Sequence, residues 1–137
     1  MSAIQSIFAT LVHPQYQLVE FLTVEGDWLV NNDYCTAVIA KSEKNNRIVI
    51  ALEGIASPDQ FFQNFLIFGD VLKDFEPTNG KVLRYNRLAH DALYPCIKSL
   101  LEELLIAQPA ASVMVTGHSL GYLLMFLYPP LDTSVSN

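Results

Sequence analysis

Apolar residues follow two rhythms along this chain. Residues 35–40 and 47–52 are short β-rich runs, separated by 41–46, which carries the turn pair Asn45-Asn46. Two such runs around a turn predict a hairpin with a longer loop. Ile48-Val49-Ile50-Ala51-Leu52 is apolar at every position, which places this strand centrally in a sheet with both faces covered. Further on the rhythm changes. Leu88, Ala92, Ile97, Leu100, Leu101, Leu104 and Leu105 recur at helical steps and predict a long helix over about 85–108. Pro95 kinks that helix or marks its real start, and Pro109 stops it. Val113-Met114-Val115 then forms a short buried strand, and residues 120–127 can continue as an apolar helix.

The remaining segments are less regular. Ile4, Ile7, Phe8 and Leu11 have helical spacing that Pro14 ends. Residues 16–24 read either as a strand or as a helix with Leu18, Phe21 and Leu22 inward. Residues 26–33 read as a loop, with Trp28 a core plug or, alternatively, a lipid contact. Ser57-Pro58 can open a short helix over 59–68, where five residues in ten are Phe or Leu. Residues 74–80 read as a loop around Pro77 and Asn79-Gly80. Hairpin, helix, long helix, strand and helix, in that order, give an α/β sheet with a helical crossover.

Composition narrows the class. The 137 residues are 51% hydrophobic and only 16% charged, which is apolar for a soluble domain. That suits central strands buried on both faces, and equally a single but incomplete domain over 1–137. A net charge of −6, with Lys and Arg scattered, argues against a nucleic-acid partner and against a polybasic membrane contact. Cys35 and Cys96 form one bridge or stand as two buried thiols. The first twelve residues lack a basic stretch and a long apolar core, so no signal peptide is expected. A cytoplasmic site is slightly favoured, with secretion open for a longer parent. No stretch of about twenty apolar residues offers a membrane span, and oligomeric state stays open.

Chemistry concentrates at Gly117-His118-Ser119-Leu120-Gly121. A strand, Gly-x-Ser-x-Gly and a helix in succession is the context of a nucleophile elbow. The turn is so tight that Ser119 takes a strained backbone, and a side chain at 117 or 121 would collide with neighbouring backbone. Its hydroxyl is thereby exposed above a helix N-terminus that favours developing negative charge. The five-residue pattern alone arises by accident in roughly one chain in twenty of this length. The bland alternative is a glycine-rich turn with a serine capping a helix, so the flanking elements carry the assignment.

With those residues in view, the chain resembles the class 3 lipases, the fungal-lipase-like branch of the α/β-hydrolases. Val115 to Gly121 (Val-Thr-Gly-His-Ser-Leu-Gly) looks like the family's elbow. Arg47 to Gly54 (Arg-Ile-Val-Ile-Ala-Leu-Glu-Gly) is similar to the strand that ends in the family's oxyanion turn. Residues 91–105 look like the helix that delivers the elbow strand. The resemblance is strongest over 33–121 and implies the N-terminal half of an α/β-hydrolase sheet. It implies hydrolysis of carboxylic esters of lipids, triacylglycerol-type, through an acyl-enzyme on Ser119, with a lipid interface as partner and no cofactor or metal. Backbone N–H groups of Leu120 and Ile55 would hold the oxyanion, and residues 58–68 would fall in the lid region.

The departures from the family pattern are specific. Ile55 stands where the family has Ser or Thr, Glu53 where it has Arg, and Tyr122 where it has a small residue. Family members place Asp and then His after the nucleophile. Here the histidines are His13, His90 and His118, and the residues after Gly121 hold only Asp132. His90 is expected as a surface or half-buried imidazole rather than a base. The chain as given is therefore expected to hydrolyse little, and a non-catalytic lipid- or protein-binding remnant of the fold is the alternative. A third reading is an unrelated small α/β domain with an accidental elbow, which an edge position for the 111–117 strand would mark.

Overall fold

The computed structural model describes residues 15–26, 33–53, 72–75 and 79–117. Its elements are β1 (Gln17–Gly26), β2 (Asp33–Ser42), β3 (Arg47–Leu52), β4 (Leu72–Phe75), β5 (Gly80–Leu83), α1 (Arg84–Ala107) and β6 (Ser112–Gly117). The expected helices at 4–11, 59–68 and 120–127 lie outside the described residues, as does Trp28.

Four strands form a mixed sheet in the order β1-β2-β3-β6. β1 and β2 pair antiparallel, as do β2 and β3, whereas β3 and β6 run parallel. A parallel pair needs a crossover, and α1 lies on that connection. Residues 16–24 resolve in favour of the strand. Leu22 and Val24 on β1 pack against the core while Thr23 and Glu25 are exposed, so a period of two holds in the second half of β1. A register shift between Leu18 and Glu20 breaks that period earlier and explains why helical and strand spacing compete there.

The loop expected over 74–80 is corrected at its two ends, where Asp74, Phe75 and Gly80 belong to strands; residues 76–78 lie outside the described residues. Leu72–Phe75 and Gly80–Leu83 pair antiparallel as a separate two-stranded ribbon. Four-residue strands are too short to show alternation, so cross-strand partners decide their pairing. Here Asp74 lies opposite Lys81, with their charged groups 3.6 Å apart. Asn79 takes a left-handed conformation, φ 51, which Asn tolerates better than most residues.

α1 begins and ends within one residue of expectation, but its buried face is displaced. Ala89, Leu93, Ile97 and Leu101, at steps of four, are at most 3% exposed. Leu88, Ala92, Leu100, Leu104 and Leu105 are only half-buried. They flank the buried stripe and widen the apolar face beyond a single row. Pro95 sits inside a continuous helix. It is exposed, so the carbonyl left without a helical donor four residues back faces water on the outer side. Together with Cys35, Ala37, Ile39, Ile48, Ile50, Leu52 and Ala111, the buried α1 residues form one hydrophobic cluster. α1 thus covers one face of the sheet, chiefly over β1 and β2.

The two cysteines overturn the bridge and correct the alternative of two buried thiols at Cys96 alone. Both are free thiols, Cys35 buried in that cluster and Cys96 exposed on α1. Burial pushes the Cys35 thiol up to about 12, helped by the nearby Glu53 carboxylate and only partly opposed by the Thr36 backbone N–H. A thiol held neutral is inert to electrophiles. An aromatic-disulfide titration is therefore expected to find one reactive thiol in the native protein and two in urea. Two fast native thiols would refute the placement of β2 against α1.

Candidate functional site

The two strands that matter end side by side. In the parallel β3–β6 ladder Arg47 is level with Ser112, Ile50 with Val115 and Leu52 with Gly117. Neighbouring strands lie about 4.8 Å apart, so the chain leaves Leu52 and Gly117 at nearly the same point in space and in the same direction. In open α/β sheets, the crevice beyond the carboxyl ends of the strands is where ligands bind. Gly117 closes β6 and is half-buried. Ser119, Leu120 and Gly121 follow it by two to four residues, and Ile55 follows Leu52 by three. All four lie outside the described residues.

Hydrogen bonds fix the pairing from both ends. Beyond β3, the Glu53 N–H donates to the Thr36 carbonyl at 2.9 Å, extending the hairpin ladder by one residue. At the opposite end Asn46 adopts φ 48 and clasps the loop that enters β6. Its Nδ2 donates to the Ala110 carbonyl at 2.7 Å, and its own carbonyl accepts the Ser112 N–H at 3.0 Å. The preceding turn is closed by the Asn46 N–H to the Glu43 carbonyl and by the Asn45 N–H to Ser42 Oγ. Sequence reading finds the Asn-Asn turn but not the clasp, because Ala110 is 64 residues away.

Because the short loop from Gln108 to Ala111 joins the C-terminus of α1 to the start of β6, the N-terminal half of α1 lies toward the carboxyl ends of β3 and β6. That half carries His90, which is not the surface or half-buried imidazole expected. It is 6% exposed. Its Nδ1 stands 3.1 Å from Asp91 Oδ1, and its ring stacks on Tyr94 with centroids 5.0 Å apart. Asp91 also receives Arg87 Nε at 2.7 Å, while Arg87 Nη1 reaches the Asp74 carbonyl. Partial burial would raise the Asp91 pKa. The hydrogen bonds from Arg87 and His90 and the charges of both outweigh it, and the net shift is downward. The cluster ties the β4–β5 ribbon to α1. His13 and His118 lie outside the described residues.

No helix among the described residues is long and apolar enough to cross a membrane. Within the described sheet β6 has a single neighbour, β3. That edge position is the feature that would mark an unrelated domain, so the comparisons with known proteins decide the matter. The sequence model of a family described as Lipase (class 3) matches residues 49–125, more than half of the chain, from within β3 through the Gly-x-Ser-x-Gly residues.

Solved lipases share the fold. A fungal lipase–inhibitor complex used to model interfacial activation superposes with a TM-score of 0.66 at 22% identity, covering 82% of this chain and 40% of that one. The Rhizomucor miehei triacylglyceride lipase gives 0.66 at 19% identity, with the same two coverages. A nonglycosylated lipase of Yarrowia lipolytica gives 0.69 at 19% identity, covering 83% of this chain and 40% of that one. The chain thus spans about 40% of the length of these structures. A search of curated proteins found no match. The unrelated-domain reading falls, and the chain belongs to the class 3 lipase family.

Proposed function

We propose that this chain carries the nucleophile half of a serine ester hydrolase acting on carboxylic esters of lipids. The observation that supports it best is the parallel register of Leu52 with Gly117 in a chain of this family. That register starts the oxyanion turn and the elbow from neighbouring points. In this reading 1–137 is a single domain, α1 is the crossover helix, and residues 58–68 form the lid region. The Ser119 hydroxyl attacks the ester carbonyl, and the N–H groups of Leu120 and Ile55 stabilise the oxyanion. Gly117 and Gly121 allow the sharp turn.

Proton transfer is the missing step. No histidine follows Ser119 in these 137 residues, and triad members act as a unit. The polypeptide taken alone is expected to turn over esters roughly 10⁶-fold more slowly than an intact triad would allow. Turnover of a short-chain nitrophenyl ester that Ser119→Ala abolishes would sink that expectation.

The test of the serine itself uses the native product from its source, weighed intact and treated with a fluorophosphonate. Labelling at Ser119 in a product heavier than 15.3 kDa supports the hydrolase. A native product that leaves Ser119 unlabelled favours the second reading, a non-catalytic lipid-binding remnant. Glu53, an exposed carboxylate where the oxyanion turn begins, is the observation on that side.

A further inference from the structure

Two asparagines hold left-handed backbones, Asn46 at φ 48 and Asn79 at φ 51, and both are exposed. Their side-chain amides differ. That of Asn46 is engaged, with Nδ2 donating to the Ala110 carbonyl at 2.7 Å. That of Asn79 makes no hydrogen bond among the described residues. Their successors differ as well. Arg47 follows Asn46, whereas Asn79 is the one asparagine of the chain that precedes a glycine, Gly80. A Cβ on the following residue screens its main-chain nitrogen from the asparagine side chain, and glycine leaves that nitrogen open. Gly80 does not serve a left-handed turn itself, since no glycine among the described residues has a positive φ.

We propose that Asn79 is a site of spontaneous deamidation, converted with Gly80 through a succinimide to aspartate and isoaspartate. The Gly80 nitrogen gives up its proton to water and attacks Asn79 Cγ. The N–Cγ bond forms as the Cγ–Nδ2 bond breaks, and Nδ2 takes up a proton to leave as ammonia. Water then opens the ring. Cleavage at Cγ gives aspartate, and cleavage at the main-chain carbonyl gives isoaspartate, whose backbone path is longer by a carbon. Either product adds a negative charge at the turn of the β4–β5 ribbon. Isoaspartate also lengthens the entry to β5, where Gly80 is paired with Phe75, so that outermost pair opens. The bond from Arg87 to the Asp74 carbonyl, one residue further in, limits the fraying.

The test is peptide mapping by mass spectrometry after the native protein stands at mildly alkaline pH, which helps the Gly80 nitrogen lose its proton. The expected shift is the amide-to-acid mass gain at Asn79, well ahead of Asn45 and Asn46, with isoaspartate present beside aspartate. Gly80→Ala should slow that gain to the pace of Asn45, because alanine tolerates a φ that is not positive and restores the screen. An equal or faster gain at Asn45 or Asn46 overturns the proposal, as does a Gly80→Ala protein that converts at the native rate. Where the alanine variant fails to fold, the native product decides alone. Direct hydrolysis of the side-chain amide yields no isoaspartate, so its absence at 79 overturns the succinimide route.

Discussion

Leu93→Ala is expected to remove about 2–5 kcal/mol of folding stability, the range for emptying a leucine-sized volume in a packed core. Leu93 is 0% exposed and lies between Ala89 and Ile97 in the cluster that joins α1 to the sheet. The loss combines the apolar transfer term with the cavity left when rigid neighbours fail to close in. Against a total of about 5–15 kcal/mol for a small domain, that is a large fraction.

Two further variants make the prediction specific to the helix face. Leu88→Ala removes the same atoms from a half-buried position and should cost clearly less. Ile106→Ala, 80% exposed, should stay within about 0.5 kcal/mol. Urea unfolding followed by circular dichroism measures all three, with a constant slope required for the comparison. Equal losses at 88 and 93 would mean that α1 presents a different face to the sheet.

That comparison also shows what was legible beforehand. Apolar runs located β3 and placed the 35–40 strand within β2, and leucine spacing bounded α1, because these elements are long enough for their period to show. The helix face was read from the most apolar residues, yet Ala89 and Leu93 lie deeper than Leu88 and Ala92. Facing orientation depends on where the sheet lies, which spacing along one helix does not encode. β4 and β5 were missed because four residues, two or more of them charged or glycine, carry no period. His90 was misplaced for a related reason. An imidazole reads as polar, but here Asp91 stands at one of its nitrogens and Tyr94 stacks on its ring, partners that its sequence neighbourhood does not announce. The family was visible in a few contiguous residues, 115–121 and 47–54. The register that sets those stretches side by side was not, since it is fixed by contacts between residues far apart in sequence.

Asn46 is the residue that fixes it, and Asn46→Ala is expected to cost about 2–3 kcal/mol, from two separable sources. A left-handed backbone costs a residue with an ordinary Cβ about 1–2 kcal/mol. The lost hydrogen bond from Nδ2 to the Ala110 carbonyl adds about 1 kcal/mol. Asn46→Gly tolerates φ 48 and should forfeit mainly the second part, so the alanine variant must be the less stable of the pair. If the two are equal, or alanine is the better, the left-handed turn does not hold this junction.

The consequence should travel along the ladder. Asn46 aligns Arg47 with Ser112, and five residues on the same ladder aligns Leu52 with Gly117. A slip of one residue would turn Val113 and Val115 away from the core and bring Met114 and Thr116 toward it. The alternation of half-buried and exposed positions along β6 resists that slip only weakly, since Met114 is apolar and 41% exposed already. Amide hydrogen exchange should therefore show Ser112 losing protection first in Asn46→Ala, with Met114 and Thr116, the next amides facing β3, following as the clasp opens. A variant that loosens Ser112 and leaves the Thr116 amide fully protected would locate the register's control elsewhere, in the packing of Val113 and Val115 against the α1 cluster.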